Sequence, residues 1–184
     1  MRISRHLTAA TAAAALLGGG LALAPAAHAT TGTGYIDGKG TWKDDLKGEG
    51  NLSTTSHAKG NAVALWQKIL WSDGVKESNG TTFDYADIDG KFGANTKYAT
   101  KQWQKLMNSE FGAGLAVDGI VGTKTFAFAN KYLSRDNGTT TDGNGTYDGF
   151  AHDFTLKRSN NKYSFWINRT KSWKVAYYNT LSVV

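Results

Sequence analysis

One eight-residue pattern occurs twice, 29 residues apart: Asp89-Gly90-Lys91-Phe92-Gly93-Ala94-Asn95-Thr96 and Asp118-Gly119-Ile120-Val121-Gly122-Thr123-Lys124-Thr125. Each copy reads D-G-x-apolar-G-x-x-T, and each element has a local mechanical task. Asp-Gly makes a tight turn, with glycine supplying positive φ without a Cβ clash. The apolar fourth residue is placed to pin the loop into a core. The second glycine lets the backbone enter a helix closely, and the threonine falls in the first turn, where its hydroxyl can satisfy backbone groups. The repeat predicts that two helices of one small domain start in the same way.

Residues around the two copies carry helical spacing. Thr96, Ala99, Thr100, Trp103, Leu106 and Met107 form one apolar face after the first copy. Phe126, Ala129, Tyr132 and Leu133 suggest a shorter helix after the second. Upstream, Val63, Trp66, Ile69 and Leu70 share a face, and Gly74 supplies a stop. Three helices in roughly 75 residues are enough for a modest core.

These motifs resemble the type 1 peptidoglycan-binding domain, a three-helix module attached to many bacterial cell-wall hydrolases. The residues that carry the resemblance are Val63, Trp66, Gln67, Leu70 and Gly74 in the first helix. In the second they are Asp89, Gly90, Phe92, Gly93, Thr96, Ala99, Thr100, Trp103 and Gln104. In the third they are Gly114, Leu115, Asp118, Gly119, Ile120, Val121, Gly122, Thr125 and Phe126. The chain departs from the family in lacking proline at Ala94 and Thr123, and in a longer 74–88 connection carrying Phe83 and Tyr85. The resemblance covers 61–133 and implies contact with peptidoglycan, through its stem peptide or nearby sugar, in a shallow groove. Trp71, Tyr98 and Lys101 fall off the apolar stripes and are the candidate contacts there.

The N-terminus reads as an export signal. Arg2 and Arg5 precede an alanine-rich apolar stretch from Leu7 to Ala27, and Ala27-His28-Ala29 has the small-x-small form of a cleavage site. Residues 1–29 are therefore expected to be removed, leaving a secreted, extracellular or wall-associated chain with no membrane span. Cysteine is absent, so an exported chain of this kind has no disulfides and must rest on packing.

Charge is uneven. From Thr30 to Gly145 there are 13 basic and 13 acidic residues, whereas the last 39 residues hold six basic and two acidic. Residues 30–60 read as an N-terminal extension, 61–135 as the helical domain and the polar run 136–145 as a linker. Residues 146–184 read as a basic β-region. There Phe150, His152, Phe154 and Leu156 alternate with polar residues, as do Tyr163, Phe165 and Ile167, then Trp173, Val175 and Tyr177. Three antiparallel strands follow, with Lys157, Trp166, Lys174 and Tyr178 on the polar face. Such a sheet needs a cover, supplied either by the helices or by added strands from Tyr35–Trp42. The fold class expected is α+β.

Chemistry is harder to place. Only His57 and His152 follow the signal, too few for a zinc peptidase with three ligands. Glu49, Glu77 and Glu110 lie in polar stretches and read as solvated surface rather than paired glycosidase acids. An EF-hand reading of Asp87-Ile88-Asp89-Gly90 puts Tyr85 and Thr96 where acids are required. No catalytic residue, metal or cofactor is assigned. The expected function is non-catalytic binding of peptidoglycan or an associated anionic wall polymer, with Trp166, Tyr178, Lys157 and Lys174 as the sheet patch. The alternative is a secreted protein-interaction module acting as adaptor, inhibitor or toxin component. A net excess of only four positive charges after cleavage makes nucleic acid a poor partner.

Overall fold

Along the described chain the helices come first and the strands of the sheet follow. The structure is a computed structural model describing residues 34–38, 40–43, 45–139 and 142–184. The expected signal and its cleavage site lie outside the described residues. The helices are α1 (Asn61–Ser72), α2 (Ala94–Phe111) and α3 (Thr123–Ala129), the last continued by a 3₁₀ turn, Asn130–Tyr132. Trp66 is wholly buried at their centre, edge-on to Trp103 at 5.2 Å and Phe126 at 5.8 Å. Its indole N–H donates to Thr100 Oγ1 at 2.9 Å, so the polar atom is satisfied within the core. α2 stops where Gly112 turns left-handed at φ 59°.

Both corners of the repeat are held by a glutamine from the preceding helix. The Gln67 side-chain amide donates to Asp89 Oδ1 (2.9 Å), the Lys91 carbonyl (3.1 Å) and Thr96 Oγ1 (3.0 Å), and Gln67 Oε1 accepts from the Gly90 N–H (2.8 Å). Gln104 repeats the set on Asp118 (3.2 Å), Ile120 (2.9 Å), Thr125 (3.4 Å) and the Gly119 N–H (2.9 Å). Phe92 and Val121, the apolar residues of the two copies, are buried. One upstream segment bridges both corners, pairing Leu52 with Val121 and Lys59 with Lys91.

The strands are β1 (Leu133–Gly138), β2 (Gly143–Tyr147), β3 (Phe154–Ser159), β4 (Lys162–Ile167) and β5 (Ser172–Val175). They form one antiparallel sheet in chain order, so the molecule is mixed α+β. The sheet has five strands, not the three expected. The run 136–145 is not read as a linker in the structure: its described residues lie in the β1–β2 hairpin, where Asn137 pairs with Asn144 and Gly138 with Gly143. Thr/Gly/Asn composition reads as loop, but ladder hydrogen bonds with β3 recruit it. Leu133, expected to end the third helix, begins β1. Phe150 and His152 precede β3 rather than belonging to it.

Both proposed covers are used. Tyr35 bridges Tyr177 and Asp37 bridges Lys162. Ile36, Trp42 and Leu46 are buried, and Trp42 lies edge-on to Tyr163 at 5.5 Å. From the helical side, buried Lys68 of α1 donates to the Trp166 carbonyl at 2.6 Å. Asp73, just past α1, is the second tie. Its carboxylate accepts from Trp103 Nε1 (2.6 Å), the Tyr147 hydroxyl (2.9 Å) and the Phe150 N–H (3.2 Å). Burial raises its pKa to about 6, partly offset by those donors. Among the described residues no helix is long and apolar enough to cross a membrane.

Candidate functional site

The sheet has one covered face and one open face, and register decides which side chains reach the open one. In β3 and β4 the inward residues are Phe154, Leu156 and Arg158, then Tyr163, Phe165 and Ile167, all buried. Their neighbours Lys157 and Trp166 point to the open side and are exposed. Trp166 pairs across the ladder with Trp173, the rings 5.9 Å apart and edge-on. Lys157 reaches past Ser164, its cross-strand partner, to place Nζ 4.0 Å from the Trp173 ring. Farther along, Lys162 Nζ lies 5.1 Å from Tyr35 and 5.9 Å from Tyr177, whose rings meet edge-on at 6.2 Å. The open face thus carries two aromatic pairs, each with a lysine beside it.

Two residues assigned to that face lie elsewhere. Lys174 is the register partner of inward-facing Phe165, and Tyr178 is wholly buried. Hydrophobic alternation put Trp173, Val175 and Tyr177 inward, yet the turn at 168–171 sets β5 one residue out of that phase. A one-residue slip exchanges the two faces of a strand. The inward set is Ala176 and Tyr178, with the Tyr178 hydroxyl donating to Glu49 and accepting from the Gly50 N–H at 3.0 Å. Glu49 is consequently not solvated surface. It is buried, also accepts from the Asp37 N–H at 2.8 Å, and burial raises its pKa to about 7. Glu77 is buried as well, accepting from Asn95 at 2.7 Å and Thr81 at 2.8 Å. Arg158 leaves the basic surface too, paired inside with Asp45, which also accepts from Tyr163.

On the helical half the three candidates do not converge. Trp71 is half-buried, stacked on His152 at 4.5 Å and edge-on to Tyr85 at 5.3 Å, so one of its ring faces is occupied. Tyr98 is exposed, and Lys101 is half-buried on α2. A separate exposed aromatic cluster, absent from the sequence reading, forms at the end of α2. There Phe111 and Phe150 stack at 5.7 Å, with Tyr132 edge-on to both. Phe111 ends a polar-looking helix and Phe150 sits in a loop, so no periodicity marks them as partners.

Two cavities share Lys131 in their walls. One of about 290 Å³ opens beside Leu115 and Phe128. The other, about 860 Å³, lies between the N-terminal segment around Trp42 and the start of β1. Among the described residues neither is lined by Glu49, Asp73 or any other carboxylate, so no acid pair for glycoside hydrolysis is found there. Among the described residues no group of three His, Cys, Asp or Glu could hold a metal ion. No family model, curated protein or solved structure matches the chain.

Proposed function

We propose that the protein is a secreted, non-catalytic binder of bacterial cell wall, with peptidoglycan or an associated anionic polymer as ligand. The observation that carries this reading is the open sheet face. Sugar rings present C–H faces that stack on indole and phenol rings, and lysines attract acidic substituents through long-range charge. Trp166 with Trp173 and Lys157, then Tyr35 with Tyr177 and Lys162, repeat that combination along one uncovered surface. The resemblance of 61–133 to the type 1 peptidoglycan-binding domain supports the same reading independently. In that view the three helices are the family's module, and Tyr98 and Lys101 contribute a second contact.

The test is sedimentation with purified, insoluble cell wall. Protein should pellet at low salt, and Trp166→Ala with Trp173→Ala should move most of it to the supernatant. Wild-type protein that stays in the supernatant at low salt sinks the reading. The adaptor alternative would use the outer edge of β1 to pair with a partner strand. A register shift between Arg135 and Asn137 disrupts that edge, which disfavours strand addition.

A further inference from the structure

The larger cavity is built from parts that the sheet-face reading does not use. Asn130, buried just past α3, ties its two walls together. Its Oδ1 accepts from the Leu46 N–H at 3.0 Å, and its Nδ2 donates to the Trp42 carbonyl at 3.2 Å. On the sheet side Arg135 pairs with Gly145, and the missing side chain at Gly145 lets the benzo edge of Trp42 lie against the strand. The Arg158 guanidinium, 4.7 Å from the Trp42 ring, holds that indole from another direction. The indole is 5 % exposed, and its Nε1 donor has no partner among the described residues. A buried donor without an acceptor costs stability, and here it belongs to a residue lining a cavity of about 860 Å³.

The charges point the same way. Lys43, Lys131 and Arg135 line the cavity, with no carboxylate among the described lining residues. Lys131 Nζ lies 4.3 Å from the Phe128 ring, whereas Lys43 and Arg135 are exposed and make no ion pair among the described residues. Leu133 and Trp42 give the cavity an apolar wall. The volume falls within the range of small-molecule sites. We infer that this cavity binds a small anionic ligand: a carboxylate or phosphate ester held by Lys43, Lys131 and Arg135. An apolar portion of the ligand lies against Trp42 and Leu133. The site is distinct from the wall-binding face and does not rest on it.

Phenyl phosphate, benzoate and neutral benzyl alcohol test the site, with calorimetry for affinity and the indole N–H resonance of Trp42 for location. Trp42→Phe identifies that resonance, since it removes the N–H while keeping an aromatic ring. The two acids should bind and move the Trp42 signal, while benzyl alcohol should bind far more weakly. Comparing the acids tells which class the site prefers. Lys43→Gln and Arg135→Gln should each weaken binding about tenfold. Both residues are exposed, so the melting temperature should hold. Binding of benzyl alcohol as tight as that of the acids would overturn the charge assignment. No shift at Trp42, or affinity unchanged in both charge variants, would overturn the site itself. Wall sedimentation run on the same two variants separates this inference from the proposed function, because it should be unaltered.

Discussion

The helical and sheet halves solve the same problem, burying an amphipathic surface, by opposite means. In the helical half each corner is closed by its own motif and one glutamine from the preceding helix, with the upstream 52–60 segment paired across both, so local sequence carries most of the instruction. In the sheet half the decisive partners are remote. Tyr178 reaches Glu49 and Gly50, and Tyr163 and Arg158 reach Asp45, across more than a hundred residues. The lesson is that a repeated turn can be read in isolation, whereas the face a strand turns inward depends on what covers it.

The largest effect should come from cutting the tie between the halves. Asp73→Ala leaves the Trp103 and Tyr147 donors buried without an acceptor and should cost about 3–5 kcal/mol. Urea unfolding followed by tryptophan fluorescence and far-ultraviolet dichroism measures it. If the halves are one cooperative unit the two probes stay coincident; separate transitions would show that they only touch.

Next come the two corners, which should behave alike. Gln67→Leu and Gln104→Leu each remove an amide whose two N–H groups are shared among three acceptors and whose oxygen accepts one bond, for about 2–3 kcal/mol apiece. The Gln67 variant should lose more, because its bonds are shorter. A loss confined to one corner would break the equivalence of the repeats. Gly119→Ala should cost about 1–2 kcal/mol by thermal denaturation. Gly119 sits at φ 75°, and an added Cβ would come within 2.7 Å of the Lys97 carbonyl.

The pH dependence separates the halves by a different route. Asp73 and Glu49 both have pKa values raised by burial, to about 6 and about 7. A carboxyl raised on folding favours the native state when protonated. Its contribution is complete below the unfolded value near 4 and is lost as pH climbs through the folded value. The melting temperature should therefore rise between pH 8 and pH 5. Asp73→Asn should flatten the part of that slope between pH 4 and pH 6, and Glu49→Gln the part between pH 5 and pH 7. A flat wild-type profile would remove the assignment.

The smallest stability effect belongs to the open face. Trp166→Ala should change stability by less than about 1 kcal/mol, since the ring is exposed and its strand is held through the backbone carbonyl by Lys68. Wall sedimentation should nevertheless fall. Lost stability with unaltered sedimentation would make Trp166 a packing residue.

Composition and spacing alone determined where the three helices start, that Trp66 and Trp103 share one core, and that alternating strands follow. Each of these depends on contacts within a turn or two, or on periodicity along one segment. Facing was legible for Lys157 and Trp166, which sit in central strands with strongly apolar partners. It was misread for Lys174 and Tyr178, because β5 lies at the sheet edge and a buried acid, Glu49, twenty residues past the expected signal, holds Tyr178 inward. The hairpin within 136–145, the burial of Glu49 and the cavity beside Trp42 were likewise decided only by tertiary structure. Polar residues look solvated until a distant chain segment supplies their hydrogen bonds, and only the folded chain brings that segment near.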